Sequence, residues 1–153
     1  MKADQIGRYY NFREREIREC FNKIEFHCSR IKYYEEINIA ASNKTKKEID
    51  NHQKEIFYLK NKISCLKLFV DEVNRLKSIV KEQFDDKRYD LFLKNNFEDT
   101  TQVRLAQDEF CSVETIQRRI GPLNKVFTNK TVFLELCLAE EKNSGYKVRR
   151  TKK

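Results

Sequence analysis

The apolar residues between Ile49 and Val80 constrain the fold of this chain more than any other feature. They follow one another at steps of three and four, with one step of seven: Ile49, Ile56, Leu59, Ile63, Leu66, Val70, Val73, Leu76 and Val80. Because residues so spaced lie on one side of an α-helix, the pattern predicts one long amphipathic helix. At 1.5 Å per residue, about 38 residues would extend about 57 Å, which is longer than a domain of this size buries, so the apolar side needs a partner.

The preceding segment supplies one candidate partner. Apolar residues at alternating steps of four and three predict a helix from about Phe12 to Ile39: Ile17, Phe21, Ile24, Cys28 and Ile31. The stretch Ala41 to Glu48 predicts a turn, with Thr45 and Glu48 as a capping box for the next helix. The first helix can lie antiparallel on the long helix as a hairpin, or a second copy of the chain can cover the remainder in a homodimer. The sequence does not choose between them.

Turn residues are scarce. Three glycines and one proline in 153 residues leave few turns for connecting strands, which favours an all-α fold. The apolar segment from Val132 to Ala139 fits a helix or a strand, and its helical neighbours favour a helix. The longest apolar run is far short of the roughly 20 residues that cross a bilayer, and the start MKADQIGRYY lacks the apolar core of a signal peptide. We therefore expect a cytoplasmic protein that makes no membrane contact.

Short helices with capping residues follow the long one. Asp85 or Asp86 caps a helix that ends near Asn95 and Asn96, and Asp99 or Thr100 caps the next. The end of the chain, KNSGYKVRRTKK, has no apolar period and has five Lys or Arg among its last seven residues. The predicted fold is all-α, with a long helical hairpin or coiled-coil-like part over 1–82, a small helix-turn-helix domain over 83–142, and a disordered basic tail over 143–153.

The stretch VRLAQDEFCSVETIQRRI, residues 103–120, is typical of a helix-turn-helix. Ser112 is a suitable N-cap, so a helix begins at about Val113. Five apolar residues then fall within a band of about 80° at 100° per residue, with Glu114, Arg118 and Lys125 opposite: Val113, Ile116, Ile120, Leu123 and Phe127. An ordinary surface helix has the same pattern. A recognition helix also has it, because one face must pack while the other enters the major groove.

The residue types on the outward face suit DNA. Arg118 is the first choice for a contact to a base edge, since Arg donates two hydrogen bonds to guanine. Glu114, Thr115 and Gln117 are placed to reach bases or phosphates, and Arg119 and Lys125 to hold the sugar-phosphate backbone. Thr100 and Thr101, at the start of the preceding helix, offer backbone amides to a phosphate. The net charge of +8 is compatible with a polyanionic partner.

Residues 45–127 resemble the ArpU and RinA type of phage late-gene transcription regulators, whose carboxy-terminal part is similar to the fourth region of sigma factors. The resemblance is carried by LFLKNNFED at 91–99, LA at 105–106 and SVETIQR at 112–118, and the segment from IDNHQKEIFYLKNKI to VDEVNRL resembles the helix that precedes the DNA-binding part. It implies a transcription activator that binds double-stranded promoter DNA and engages host RNA polymerase in the bacterial cytoplasm. Three residues depart from the pattern: Glu109 replaces an apolar residue, Phe110 stands where the turn often has Gly, and Pro122 is expected to kink or end the helix after Ile120.

Catalysis and metal binding have little support. The two histidines, His27 and His52, have no catalytic motif around them, and the three glycines stand apart, so no phosphate-binding loop is present. The five cysteines form no C-x-x-C pair, which predicts free buried thiols, no metal and no cofactor. We expect a non-enzymatic protein. The alternative to a DNA-binding regulator is a helical adaptor that binds a partner protein through its long amphipathic helix.

Overall fold

A computed structural model describes residues 1–37, 43–146 and 148, and this part of the chain contains six α-helices and no strand. The helices are α1 Ala3–Ile37, α2 Asn43–Gln83, α3 Asp86–Phe97, α4 Gln102–Asp108, α5 Val113–Thr128 and α6 Val132–Asn143. The all-α prediction is confirmed, and the ambiguous segment that begins at Val132 is a helix. None of the described helices is long and apolar enough to cross a membrane.

The first two helices form an antiparallel hairpin. Tyr10 pairs with Asn74 at 3.0 Å, Glu16 with Lys62 at 2.5 Å, and His27 with His52 at 2.7 Å between their Nδ1 atoms. The partner number falls as the α1 number rises, which defines opposite chain directions. The apolar stripe of α2 predicted from the sequence therefore packs on α1 of the same chain, in a core of Ile17, Cys20, Leu59, Ile63, Leu66 and Val70.

Both ends of the hairpin differ from the sequence prediction. α1 begins at Ala3, well before Phe12, because Ala3 and Ile6 are buried in a core that the local apolar period does not reveal. The predicted end of α1 at Ile39 and the first part of the predicted turn lie outside the described residues. α2 begins at Asn43, so the predicted capping box is wrong: Thr45 and Glu48 lie inside the helix.

The open end of the hairpin shares a core with the later helices. This core joins Ala3, Ile6, Phe69, Val73, Leu76 and Val80 to Phe92, Leu123, Phe127, Leu134 and Cys137. The rings of Phe92 and Phe127 meet edge to face with their centroids 5.2 Å apart, which joins α3 to α5. In this core, residues from both sides of the predicted domain boundary between 82 and 83 pack together. The division into two domains stays a prediction.

α1 crosses α3 at very short range at Gly7. A Cβ atom on Gly7 would lie 1.7 Å from the backbone oxygen of Asn96. Nearby, Asn11 donates a hydrogen bond of 2.7 Å from Nδ2 to the carbonyl of Phe97. The absence of a side chain at Gly7 therefore sets the distance at which the start of the hairpin docks on the helix-turn-helix region.

The predicted basic tail at 143–153 lies largely outside the described residues. Of its described part, Asn143 ends α6, and Tyr146 lies against Tyr58 of α2 with ring centroids 5.6 Å apart. Val148 packs on the hairpin core.

Candidate nucleic-acid interface

α4 and α5 are capped by hydroxyl side chains. Ser112 Oγ accepts a hydrogen bond of 3.2 Å from the amide of Thr115, which confirms the predicted cap and the start of α5 at Val113. The cap of α4 is Thr101, whose Oγ1 accepts from the amide of Arg104 at 3.1 Å. The prediction of Asp99 or Thr100 is wrong, because the chain first turns sharply through a left-handed conformation at Asp99, where φ is 56°.

The turn between α4 and α5 closes by the Schellman pattern. The amide of Cys111 donates to the carbonyl of Ala106 at 3.0 Å, and the amide of Phe110 donates to that of Gln107 at 3.3 Å. Phe110 takes a φ of 52°, the left-handed conformation that glycine adopts at this position in many helices. The geometry of a glycine turn is thus present with a phenylalanine in its place, and that side chain is 96% exposed.

Glu109, which stands where the resemblance leads us to expect an apolar residue, is half-buried. Its carboxylate lies 3.5 Å from the ammonium of Lys87 on α3. The apolar contacts between α3, α4 and α5 come instead from neighbouring positions, namely Leu91, Leu105, Ala106, Ile116 and Ile120.

α5 presents its predicted faces. The four residues that point into the protein have no exposed surface: Ile116, Ile120, Leu123 and Phe127. On the other side Glu114, Gln117, Arg118 and Lys125 are exposed, while Thr115 and Arg119 are half-buried. Lys125 lies seven residues after Arg118, which at 100° per residue returns it to nearly the same direction. The outward face therefore carries a polar strip, which Gly121 and Pro122 interrupt between Arg118 and Lys125.

Pro122 does not end the helix. α5 continues without a break to Thr128, so Leu123 and Phe127 belong to the same helix as Arg118. The expected end after Ile120 is wrong. Proline removes one backbone donor, which leaves the carbonyl of Arg118 without its partner four residues on. Pro122 is on the exposed side, where water can satisfy that carbonyl, while the burial of Leu123 and Phe127 holds the next turn in place.

The cations of this region fall into two groups. On α3 and α4 they are paired with carboxylates: Lys87 with Glu109, Arg88 with Asp85, Lys94 with Asp90 and Arg104 with Asp108. Arg118, Arg119 and Lys125 of α5 form no ion pair with any residue that the structure describes. Among α3, α4 and α5, the positive charge that is free to meet an anion therefore lies on α5.

Thr100 is placed differently from Thr101. Its amide already donates to the carbonyl of Lys94 at 3.0 Å, and its own carbonyl accepts from Asn95 Nδ2 at 2.9 Å. The predicted amide contact to a phosphate is thus unavailable at Thr100, because folding of the loop uses that donor.

Gln102 was missed by the sequence analysis. Its Oε1 accepts from Nε2 of Gln117 at 3.1 Å, which joins the start of α4 to the outward side of α5.

The other candidate chemistry lies in the hairpin. His27 and His52 were treated separately in the sequence, and only the register of α1 on α2 brings their Nδ1 atoms to 2.7 Å. Which of the two nitrogens donates depends on the tautomers of the rings. Among residues 1–37, 43–146 and 148, no three or more His, Cys, Asp or Glu side chains are grouped to hold a metal ion.

The cysteines are free thiols, as predicted, but the prediction that they are buried is wrong for Cys28, which is exposed, while Cys65 and Cys111 are half-buried. Cys137 is 3% exposed, and burial raises the pKa of its thiol to about 11, with Glu141 and Glu72 contributing in the same direction. Burial likewise raises the pKa of Cys20 and of Cys65. A thiol whose pKa is raised carries little thiolate at neutral pH and is a poor nucleophile.

In comparisons with known proteins, no family model matches the chain, and no curated protein and no solved structure matches it. The resemblance to phage late-gene regulators stays a prediction.

Proposed function

We propose that this protein is a sequence-specific regulator of transcription that binds double-stranded DNA through α5. The observation that carries the proposal is the two-sidedness of this helix. Four side chains are completely buried on one side, and on the other side the exposed polar strip carries cations that no carboxylate of the described chain neutralises. A helix held in this way can enter the major groove, which is about 12 Å wide.

The roles of the side chains follow from their exposure. Arg118 is fully outward and unpaired, so it is the best candidate for a two-bond contact to guanine. Glu114, one turn earlier on the same face, can accept from a cytosine amino group. Gln117 is held by Gln102 and contacts DNA from the side. Arg119, half-buried, and Lys125 are placed for backbone phosphates.

The deciding experiment is selection of bound duplexes from a random library, followed by affinity measurements on the enriched site. We expect one motif to recur, and Arg118→Ala to cost about 1 to 3 kcal/mol and to relax the preference at one position. Arg104→Ala is the matched control, because Arg104 is also exposed but is paired with Asp108 on α4. Recovery of no motif by the native protein would overturn the proposal.

The promoter context rests on the family resemblance. On that basis we propose that the protein activates late genes of a phage or mobile element by a sigma-like contact to promoter DNA, with host RNA polymerase as a partner, in the bacterial cytoplasm. Transcription reconstituted from a promoter that carries the selected motif tests this. Motif-dependent stimulation supports activation, and binding without stimulation argues against it.

A helical adaptor remains the second candidate, now favoured by a different surface. From Leu59 to Val80 the apolar stripe of α2 is buried against α1 and the later helices, so neither an adaptor contact nor a homodimer through this part of the stripe is supported by its exposure. α6 instead exposes Val132, Phe133 and Leu136. An adaptor that acts through α6 would lose its partner in Phe133→Ser while keeping its fold, and its activity would not depend on Arg118.

A further inference from the structure

The start of α1 helps to form a cleft that the sequence did not predict. The cleft, about 680 Å³ in volume, lies where the first turns of α1 meet the end of α3, the start of α4 and the second half of α5. Its walls are fixed by the crossing at Gly7 and by a hydrogen bond of 2.9 Å from Asn96 Nδ2 to Asn124 Oδ1. The cleft is therefore built by the docking of the hairpin on the helix-turn-helix region.

The charges around the cleft favour an anion. Lys2, Arg8 and Lys125 line it together with Met1, Asp4 and Asp99, so positive charge is in excess. None of the three side-chain cations forms an ion pair with a described residue, so their charge is available. A backbone phosphodiester is an anion that this excess can bind.

The position of the cleft matches that of a DNA backbone beside the groove that α5 would occupy. Lys125 lies on the same face as Arg118 and about 10.5 Å further along the axis, at 1.5 Å per residue. This distance is close to the width of the major groove, about 12 Å. Gln102 lines the cleft and also bonds to Gln117, so the cleft continues directly into the outward strip of α5.

We propose that this cleft binds a backbone phosphodiester of the DNA strand that borders the groove, with Arg8 and Lys125 as the contacting cations. The proposal rests on the proposed function and adds α1 to the DNA-binding surface. α1 then positions the recognition helix: the cleft fixes the register of the strand, while Arg118 distinguishes its bases.

The experiment measures the slope of log affinity against log salt concentration for the selected duplex. Arg8→Gln removes one phosphate contact, so we expect the slope to fall by about 1 and the base preference to remain. Between 50 and 200 mM salt that change corresponds to about a fourfold difference in the loss of affinity. Arg18→Gln, an exposed arginine further along α1, is the control and should keep the native slope. A native slope in Arg8→Gln would overturn the proposal.

Failure of the proposed DNA-binding function and failure of the proposed phosphate site in the cleft give different results. If the native protein binds no duplex, the proposed function fails, and the cleft is then tested with inorganic phosphate by backbone amide shifts in solution. Shifts confined to Gly7, Gln102 and Lys125, and lost in Arg8→Gln, support a phosphate site that serves a free ligand. Absence of such shifts would overturn the cleft as a phosphate site.

Discussion

Arg13 and Glu141 form a buried ion pair that joins α1 to α6 across 128 positions of sequence. Nε of Arg13 lies 2.8 Å from Oε1 of Glu141, and the Nη2–Oε2 distance is 2.6 Å. The guanidinium also donates to the carbonyl of Tyr9 at 2.9 Å and lies 4.6 Å from the ring centroid of Phe69. Both charges are thus compensated out of water, and α6 is anchored to the hairpin.

Removal of one member of this pair should destabilise the protein strongly. In Glu141→Gln the Arg13 charge stays buried without its counterion, so we expect the free energy of unfolding to fall by about 3 to 5 kcal/mol. Urea denaturation followed by circular dichroism measures it. The control is Lys54→Gln, which removes an exposed pair with Asp50 and should change stability by less than about 1 kcal/mol. Equal effects in the two variants would show that the buried pair is not an anchor.

The two helical glycines should differ in their response to alanine. A methyl group on Gly7 meets the backbone oxygen of Asn96, so α1 and α3 must separate, and we expect a loss of about 3 kcal/mol. A methyl group on Gly121 meets no atom of another helix within 4 Å. The helix propensity of alanine favours this variant by about 1 kcal/mol, while the clash of its Cβ with the ring of Pro122 opposes it. Thermal denaturation should therefore place Gly121→Ala close to the native protein and Gly7→Ala well below it. The opposite ranking would contradict the crossing described for α1.

Replacement of Phe110 by glycine should stabilise the folded protein. Its left-handed φ of 52° costs an L-residue roughly 1 to 2 kcal/mol, and a side chain that is 96% exposed recovers little by packing. Part of the gain is offset by the greater freedom of glycine in the unfolded chain, which leaves about 1 kcal/mol of stabilisation for Phe110→Gly. Phe110→Ala keeps the strain and is the control. Destabilisation of the glycine variant would mean that the exposed ring makes a contact that stabilises the turn.

The features that the sequence predicted are those set by neighbours along the chain. The stripe of α2, the cap at Ser112 and the outward direction of Arg118 all follow from spacing within one helix. The early start of α1 does not, because Ala3 and Ile6 gain their stability from residues far along the chain. Pro122 was misjudged for the same reason: its local cost is offset by the burial of Leu123 and Phe127.

The residues of the candidate site also fall into those that spacing within one helix predicts and those that depend on distant parts of the chain. Side chains on α5 were found from the sequence because a helical period assigns them to a face. Arg8 and Lys2 were not, since nothing local links the first turn of the chain to Lys125. Only the close crossing at Gly7 brings them together. His27 and His52 were likewise met as isolated residues, and their contact depends on the register of the hairpin.

The five cysteines should differ sharply in reactivity. Cys28 is exposed, whereas Cys20 and Cys137 are 1% and 3% exposed. We expect Cys28 to react first with a maleimide in the native state, and the two buried thiols to react only when the protein unfolds. Mass spectrometry of peptides after a short pulse measures this. Labelling of Cys137 as fast as Cys28 would show that α6 detaches from the hairpin in solution.

Cys137 should also make stability depend on pH in alkali. Its thiol has a pKa of about 11 in the folded protein against an ordinary value of 9.0, so the folded state binds the proton more tightly. Below pH 9 the thiol is protonated in both the folded and the unfolded chain, and its contribution to the free energy of unfolding is fully present. Between about pH 9 and 11 the unfolded chain loses this proton first, so the free energy of unfolding falls. Cys137→Ala removes this titration, so its free energy of unfolding should decline less steeply over the same interval in urea denaturation. Parallel curves for the two proteins would mean that the thiol meets water in the folded state.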